Sequence, residues 1–183
     1  MYEKRQESVG TMAIDLKDHI RDIADFPKPG IVFKDITPLL SHAEAFQASI
    51  DQFAQRYQDQ KIDAILAAES RGFLFGAPLA LKLGASLIPV RKPGKLPAET
   101  YSHSYDLEYG SDTLEIHKDA LQSGQRVLII DDLLATGGTI KACLKLLENF
   151  DVEVVELAFC INLSFLGGAK QLAPHKVYSL LEF

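Results

Sequence analysis

Residues 127–147 place the tightest constraint on what this chain can fold into. Val127-Leu128-Ile129-Ile130 is a run of four apolar residues, three of them β-branched. Such a run reads as a strand buried on both faces. Asp131 and Asp132 follow it, then the small-residue loop Ala135-Thr136-Gly137-Gly138-Thr139. Ile140, Cys143, Leu144 and Leu147 then recur at i, i+3, i+4 and i+7, one face of a helix. A strand hidden on both sides needs helices on both sides, so the order strand, acidic pair, glycine loop, helix predicts a layered α/β fold.

The rest of the chain repeats that order. Ile62 to Ala68 is an apolar strand, Glu69-Ser70-Arg71-Gly72 a polar loop, and Phe73 to Leu83 an apolar helix. Ala85 to Val90 reads as the next strand, Val152 to Ile161 as another, and Val177 to Leu180 as a last short one. Residues 43–58 form an amphipathic helix with Phe46, Ile50, Phe53, Ala54 and Tyr57 on one face. A helix is also expected from Ile14 to about Asp25, on Leu16, Ile20 and Ile23. The fold class is therefore α/β, a mainly parallel sheet flanked by helices, in one domain over residues 1–183. Residues 1–11 are polar, show no periodicity and are expected to be frayed.

Ligand loops of such a sheet gather at the C-terminal ends of its strands. Three stand out. The loop at 135–139 suits a phosphate: helix-start N–H groups and the helix dipole attract an anion, and glycine lets the backbone come close. Asp131 and Asp132 would repel that anion unless a hydrated Mg²⁺ or the hydroxyls of a sugar lay between. Arg71 sits in the second loop. Arg91-Lys92-Pro93-Gly94-Lys95, after the strand at 85–90, is the densest cation cluster in a chain of net charge −6. Such a cluster suits pyrophosphate, with Arg as bidentate donor and Lys as point charge. No G-x-x-x-x-G-K-[ST] occurs, and no G-x-G-x-x-G follows a strand.

Two other segments have a character of their own. Phe26 to Pro38 holds three prolines and a glycine flanking Phe33, which implies a stiff, shaped loop. Residues 96–118 alternate weakly and read as an extended hairpin with few apolar anchors, a candidate flap. The acidic balance argues against a general nucleic-acid binder. No apolar run nears the roughly 18 residues needed to cross a membrane, and no signal peptide is evident. Cys143 and Cys160 lie in apolar stretches and are expected as reduced core residues of a cytoplasmic protein.

The stretch Val127 to Thr139 resembles the phosphoribosyl-pyrophosphate (PRPP) motif of type I phosphoribosyltransferases. Phe26 to Lys34, Glu69 to Phe75, Pro89 to Pro97, Tyr105 to Gly110 and Leu114 to Leu121 extend the likeness to the adenine-specific members, bacterial forms above all, over about residues 14–183. The resemblance implies the type I phosphoribosyltransferase fold, with a base-recognition hood at 12–40 and a flexible flap at 96–118. It implies the purine-salvage reaction of adenine with PRPP to give AMP and pyrophosphate, Mg²⁺ carried by PRPP near Asp131 and Asp132, and a homodimer. By matching position, Ala135, Thr136, Gly137, Gly138 and Thr139 would hold the 5-phosphate, and Asp131 and Asp132 the ribose hydroxyls. Ser70, Arg71, Arg91, Lys92 and Lys95 would meet pyrophosphate, with Arg91 reaching a neighbouring subunit. Phe33 and Leu163 would sandwich adenine, while the backbone of Val32 and Lys34 reads its edge. Glu108 would be the acid/base for the purine N9 proton. The Glu69–Ser70 peptide would be cis. Two rival readings stand beside this one, a 6-oxopurine transferase and a PRPP-sensing regulator without catalysis.

Overall fold

The structure, a computed structural model, describes residues 14–106 and 111–183. The chain divides into two compact units, residues 1–48 and 49–183.

The first unit does not carry the helix expected from Ile14. A short 3-10 turn, Leu16–His19, is followed by strand β1 (Arg21–Ala24). β1 pairs antiparallel with β2 (Val32–Asp35), Ile23 opposite Phe33 and Asp22 opposite Lys34. Spacings of three and four among so few apolar residues fit a helix, but the pairing with β2 satisfies the backbone of 21–24 and overrides them. Arg21–Asp35 and Lys34–Asp22 ion pairs, at 2.5 and 2.6 Å, tie the two strands across the ladder. The proline-rich connection closes with the Phe26 ring edge-on to Phe33 at 5.2 Å and the Asp25 carboxylate accepting from the Gly30 N–H at 2.7 Å. The stiff loop expected over 26–38 thus contains β2 and the first turn of helix α1 (Thr37–Ser41), where Pro38 is tolerated. Helix α2 (Ala43–Tyr57) runs on into the second unit.

The second unit is a five-stranded parallel sheet of order β4-β3-β7-β8-β9. Its strands are β3 (Ala64–Ala68), β4 (Ser86–Val90), β7 (Arg126–Leu134), β8 (Glu153–Asn162) and β9 (Val177–Glu182). All five residues of β3 are fully buried, and Val127 to Ile130 likewise, as strands covered on both faces require. β7 is longer than expected: it runs through the acidic pair to Leu134 because Leu133 and Leu134 pair with Ile161 and Asn162 of β8. Helices α3 (Gly72–Leu83), α4 (Gly138–Leu147) and α5 (Gly168–Gln171) make the crossovers. The chain steps from β3 through α3 to β4 in one direction and from β7 through α4 to β8 in the other. Right-handed crossovers in opposite directions put α3 and α4 on opposite faces. The reversal falls between β3 and β7, and a crevice opens there at the C-terminal strand ends.

Between β4 and β7 lies an antiparallel hairpin, β5 (Thr100–Asp106) and β6 (Ser111–His117). The expected hairpin is present, but its base is not poor in apolar anchors. Leu114 and Ile116 are buried in the main core, and Tyr101 and Tyr105 pack against the same cluster, Tyr101 edge-on to Phe150 at 5.6 Å. Alternation that looked weak in sequence is one-sided, with α4 covering that side. Residues 107–110, where the tip of the flap was expected, lie outside the described residues, as do 1–13.

Candidate active site

Two loops meet at the crevice, one after β3 and one at the end of β7. A cavity of ≈ 280 Å³ lies between them, lined by residues 69–71 and 131–140. Both flanking helices begin there. Neither α3 nor α4 has a side-chain hydrogen bond at its N-cap; at α3 the Phe73 and Leu74 N–H groups donate to the Ser70 and Arg71 carbonyls, whereas the first-turn residues 138–140 of α4 line the cavity. Each start carries about half a positive charge. Gly137, the N-cap of α4, has φ 87°, a conformation in which a side chain is strained. A Cβ there would also come within 3.3 Å of Leu172.

Asp131 and Asp132 supply the opposite sign. The Asp132 side chain is buried, and Arg71 Nε lies 2.9 Å from its Oδ2 as an ion pair. The Asp132 backbone N–H donates to Asp131 Oδ1 at 2.8 Å. Burial raises the pKa of both carboxyls above the usual carboxylate range. Repulsion from Asp132 lifts Asp131 further, while Arg71 pulls Asp132 back down. The pair is therefore primed for a partner that brings hydrogen-bond donors or positive charge.

Glu69, which carried no role in the sequence reading, organises the cations. Its Oε2 accepts from the Lys92 backbone N–H at 3.0 Å and from Arg91 Nε at 3.2 Å, and Lys95 Nζ stands 3.7 Å from Oε1. The Lys92 N–H, then Arg91 and Lys95, hold its carboxyl below the usual range. Arg91, Lys92 and Lys95 do not line the cavity themselves; Glu69, which does, links them to its wall. The structure so brings together Ser70, Arg71, Asp131, Asp132 and residues 135–139, with Arg91, Lys92 and Lys95 gathered beside them. The Glu69–Ser70 peptide is cis.

Two glycines missed by sequence reasoning shape the same wall. A Cβ on Gly72 would lie 3.1 Å from Asp131 Oδ1 and 3.0 Å from the Ile130 carbonyl oxygen. One on Gly168 would lie 2.2 Å from the Ala135 carbonyl oxygen. Gly168 thus backs the phosphate-type loop from an element 33 residues downstream of Ala135. Its only sequence signal is the Gly167-Gly168 pair.

The base-recognition residues fall in separate units. Val32, Phe33 and Lys34 lie on β2 of the first. Leu163 follows β8 in the second, where its N–H donates to the Leu134 carbonyl at 2.9 Å. Glu108 lies outside the described residues.

An anion cradle of two helix starts, a carboxylate pair and a cation cluster, on a parallel sheet, is chemistry for a sugar bearing phosphates at both ends. The phosphoribosyl transferase domain family matches residues 35–181, and the chain belongs to that family. Its relatives include adenine phosphoribosyltransferases. That of Rhodopirellula baltica is 58% identical over 170 residues, covering 93% of this chain and 82% of the relative. That of Citrifermentans bemidjiense is 59% identical over 169 residues, covering 92% and 99%. The crystal structure of the Thermoanaerobacter pseudethanolicus adenine phosphoribosyltransferase superposes with a TM-score of 0.88 at 57% identity, covering 92% of this chain and 98% of that one. The Saccharomyces cerevisiae enzyme, complexed with an imino-altritol bisphosphate and adenine, superposes at 0.87 with 42% identity, covering 91% and 96%.

Proposed function

We propose that this chain catalyses the transfer of a 5-phosphoribosyl group from PRPP to adenine, giving AMP and pyrophosphate in purine salvage. The observation that carries the reading is the cavity at the sheet's reversal point, where the Gly137 loop, the Asp131–Asp132 pair and Arg71 share one wall. In this reading Ala135 to Thr139 hold the 5-phosphate with backbone N–H groups. Asp131 and Asp132 accept from the ribose hydroxyls. Ser70, Arg71, Arg91, Lys92 and Lys95 face pyrophosphate. Phe33 and Leu163 stack on adenine, the Val32 and Lys34 backbone reads its edge, and Glu108 handles the N9 proton.

The charges suit such a displacement. Positive charge grows on the ribose, beside the carboxylates, while negative charge grows on pyrophosphate, beside the cations. Magnesium fits as a companion of PRPP. Two carboxylates plus substrate oxygens are the set Mg²⁺ ordinarily accepts. When bound, the ion would neutralise charge on the leaving group.

The reading includes a homodimer in the cytoplasm. The dimer is supported by Leu74 and Leu81 of α3 and Leu87 of edge strand β4, all exposed, Leu81 to 85%. The cytoplasm is supported by Cys143 and Cys160, buried and both free. No helix among the described residues is long and apolar enough to cross a membrane.

One competition assay tests the reaction. Adenine, hypoxanthine, guanine and xanthine are offered together with Mg-PRPP, and pyrophosphate release and nucleotide products are followed. AMP as the dominant product is expected. Turnover of a 6-oxopurine instead, or PRPP binding without adenine-dependent pyrophosphate release, would refute it.

A further inference from the structure

One rung of the β5–β6 hairpin touches both ends of the candidate site. Tyr105 and Asp112 are directly opposite in the ladder, so their side chains stand on the same face. The Tyr105 side chain shares a second cavity wall with Thr136 and Gly138 of the phosphate-type loop, where its phenol interacts with the Thr139 hydroxyl. Its ring lies along Gly138, where a Cβ would stand 3.7 and 3.8 Å from the ring edge. Asp112 forms an ion pair with Lys92 Nζ at 3.0 Å. Lys92 is in turn fastened through its backbone N–H to Glu69 on the cavity wall. A continuous path of contacts therefore runs from Thr139 through the Tyr105–Asp112 rung to Lys92, outside the cavity.

We propose that Tyr105 and Asp112 form a positioning pair that couples occupation of the 5-phosphate loop to the state of the pyrophosphate cations. The inference rests on the roles given above to Thr139 and Lys92. When an anion meets the loop, the Thr139 hydroxyl turns its proton to it and accepts from the Tyr105 phenol. A hydroxyl that accepts is a better donor, so the phenol strengthens the grip on phosphate. The same event fixes the Tyr105 end of the rung and with it the Asp112 carboxylate. Asp112 competes with pyrophosphate for Lys92, so its placement sets how readily that cation is released. A substrate with phosphate at both ends engages both arms, whereas a fragment engages one.

The test measures binding of ribose 5-phosphate and of magnesium pyrophosphate, each alone and with the other saturating, by calorimetry. The proteins are the parent, Tyr105→Phe and Asp112→Asn. In the parent, each ligand is expected to change the affinity of the other by about 5-fold or more, the low end for coupled sites. Tyr105→Phe keeps the ring and loses the hydroxyl. It should weaken ribose 5-phosphate by about 3–10-fold, the range of one hydrogen bond, and leave pyrophosphate alone unchanged. Asp112→Asn should tighten pyrophosphate and leave ribose 5-phosphate alone unchanged. In either variant the mutual effect should fall to near one. A merely structural role would lower the melting temperature and leave the mutual effect intact; that outcome, or a parent with no mutual effect, overturns the proposal. If one variant fails to fold, the other decides. A parent that binds neither ligand refutes the reading of the site itself, a distinct result.

Discussion

Gly168→Ala isolates the support of the phosphate-type loop from its chemistry. Gly168 lies in an ordinary helical conformation, so alanine meets no backbone strain there. Its Cβ would, however, stand 2.2 Å from the Ala135 carbonyl oxygen and 3.1 Å from both the Ala135 carbonyl carbon and Leu134 Cδ1. A close carbon–oxygen contact needs about 3.3–3.6 Å, so the two backbones must part by about 1 Å. Overpacking on that scale costs roughly 1–3 kcal/mol of stability. Displacing a positioning loop by about 1 Å costs on the order of 10²-fold in rate. Activity should therefore fall much further than stability. Steady-state kinetics with varied PRPP and a thermal melt give both numbers. Gly84→Ala is the control: Gly84 has φ 66° with nothing within 4 Å of an added Cβ. It should cost about 1–2 kcal/mol in left-handed strain and leave PRPP kinetics unchanged. A Gly168→Ala protein whose PRPP kinetics match the parent would refute the claim that this contact sets the loop.

Two further outcomes follow from the carboxylates. Burial raises the pKa of Asp131, so this group stabilises the empty fold most at low pH, and that contribution is lost as pH rises through the raised value. Asp131→Asn should thus raise the melting temperature at neutral pH, with the gain vanishing in acid, while PRPP binding is lost. In the parent, PRPP affinity should fall on acidification at a higher pH than an ordinary carboxylate would give; calorimetry across pH checks both. Glu108→Gln should slow turnover by roughly 10²–10⁴, the worth of a side-chain acid/base, and leave PRPP affinity nearly intact. Collapse of PRPP affinity would remove that role.

What the sequence by itself determined was everything carried by local pattern. Apolar runs at 62–68 and 127–130 read as strands hidden on both faces and the run at 85–90 as a further strand, and helical periodicity at 43–58 and 140–147 is unambiguous. Because a parallel α/β sheet places its loops at one edge, the Ser70–Arg71 and Asp131–Thr139 segments were legible as one site before any coordinates. Tertiary structure decided what depends on partners distant in the chain. Residues 21–24 become a strand because Val32–Asp35 pairs with them, a non-local hydrogen-bond ladder that a spacing of three apolar residues cannot reveal. The base of the hairpin is anchored because α4 covers one side of it. Glu69 gathers Arg91, Lys92 and Lys95, and Gly168 admits Ala135, through contacts spanning more than 20 residues. The phosphate loop was readable as a loop, but its exact placement comes from a glycine on another element, since close packing acts between surfaces and not along the chain.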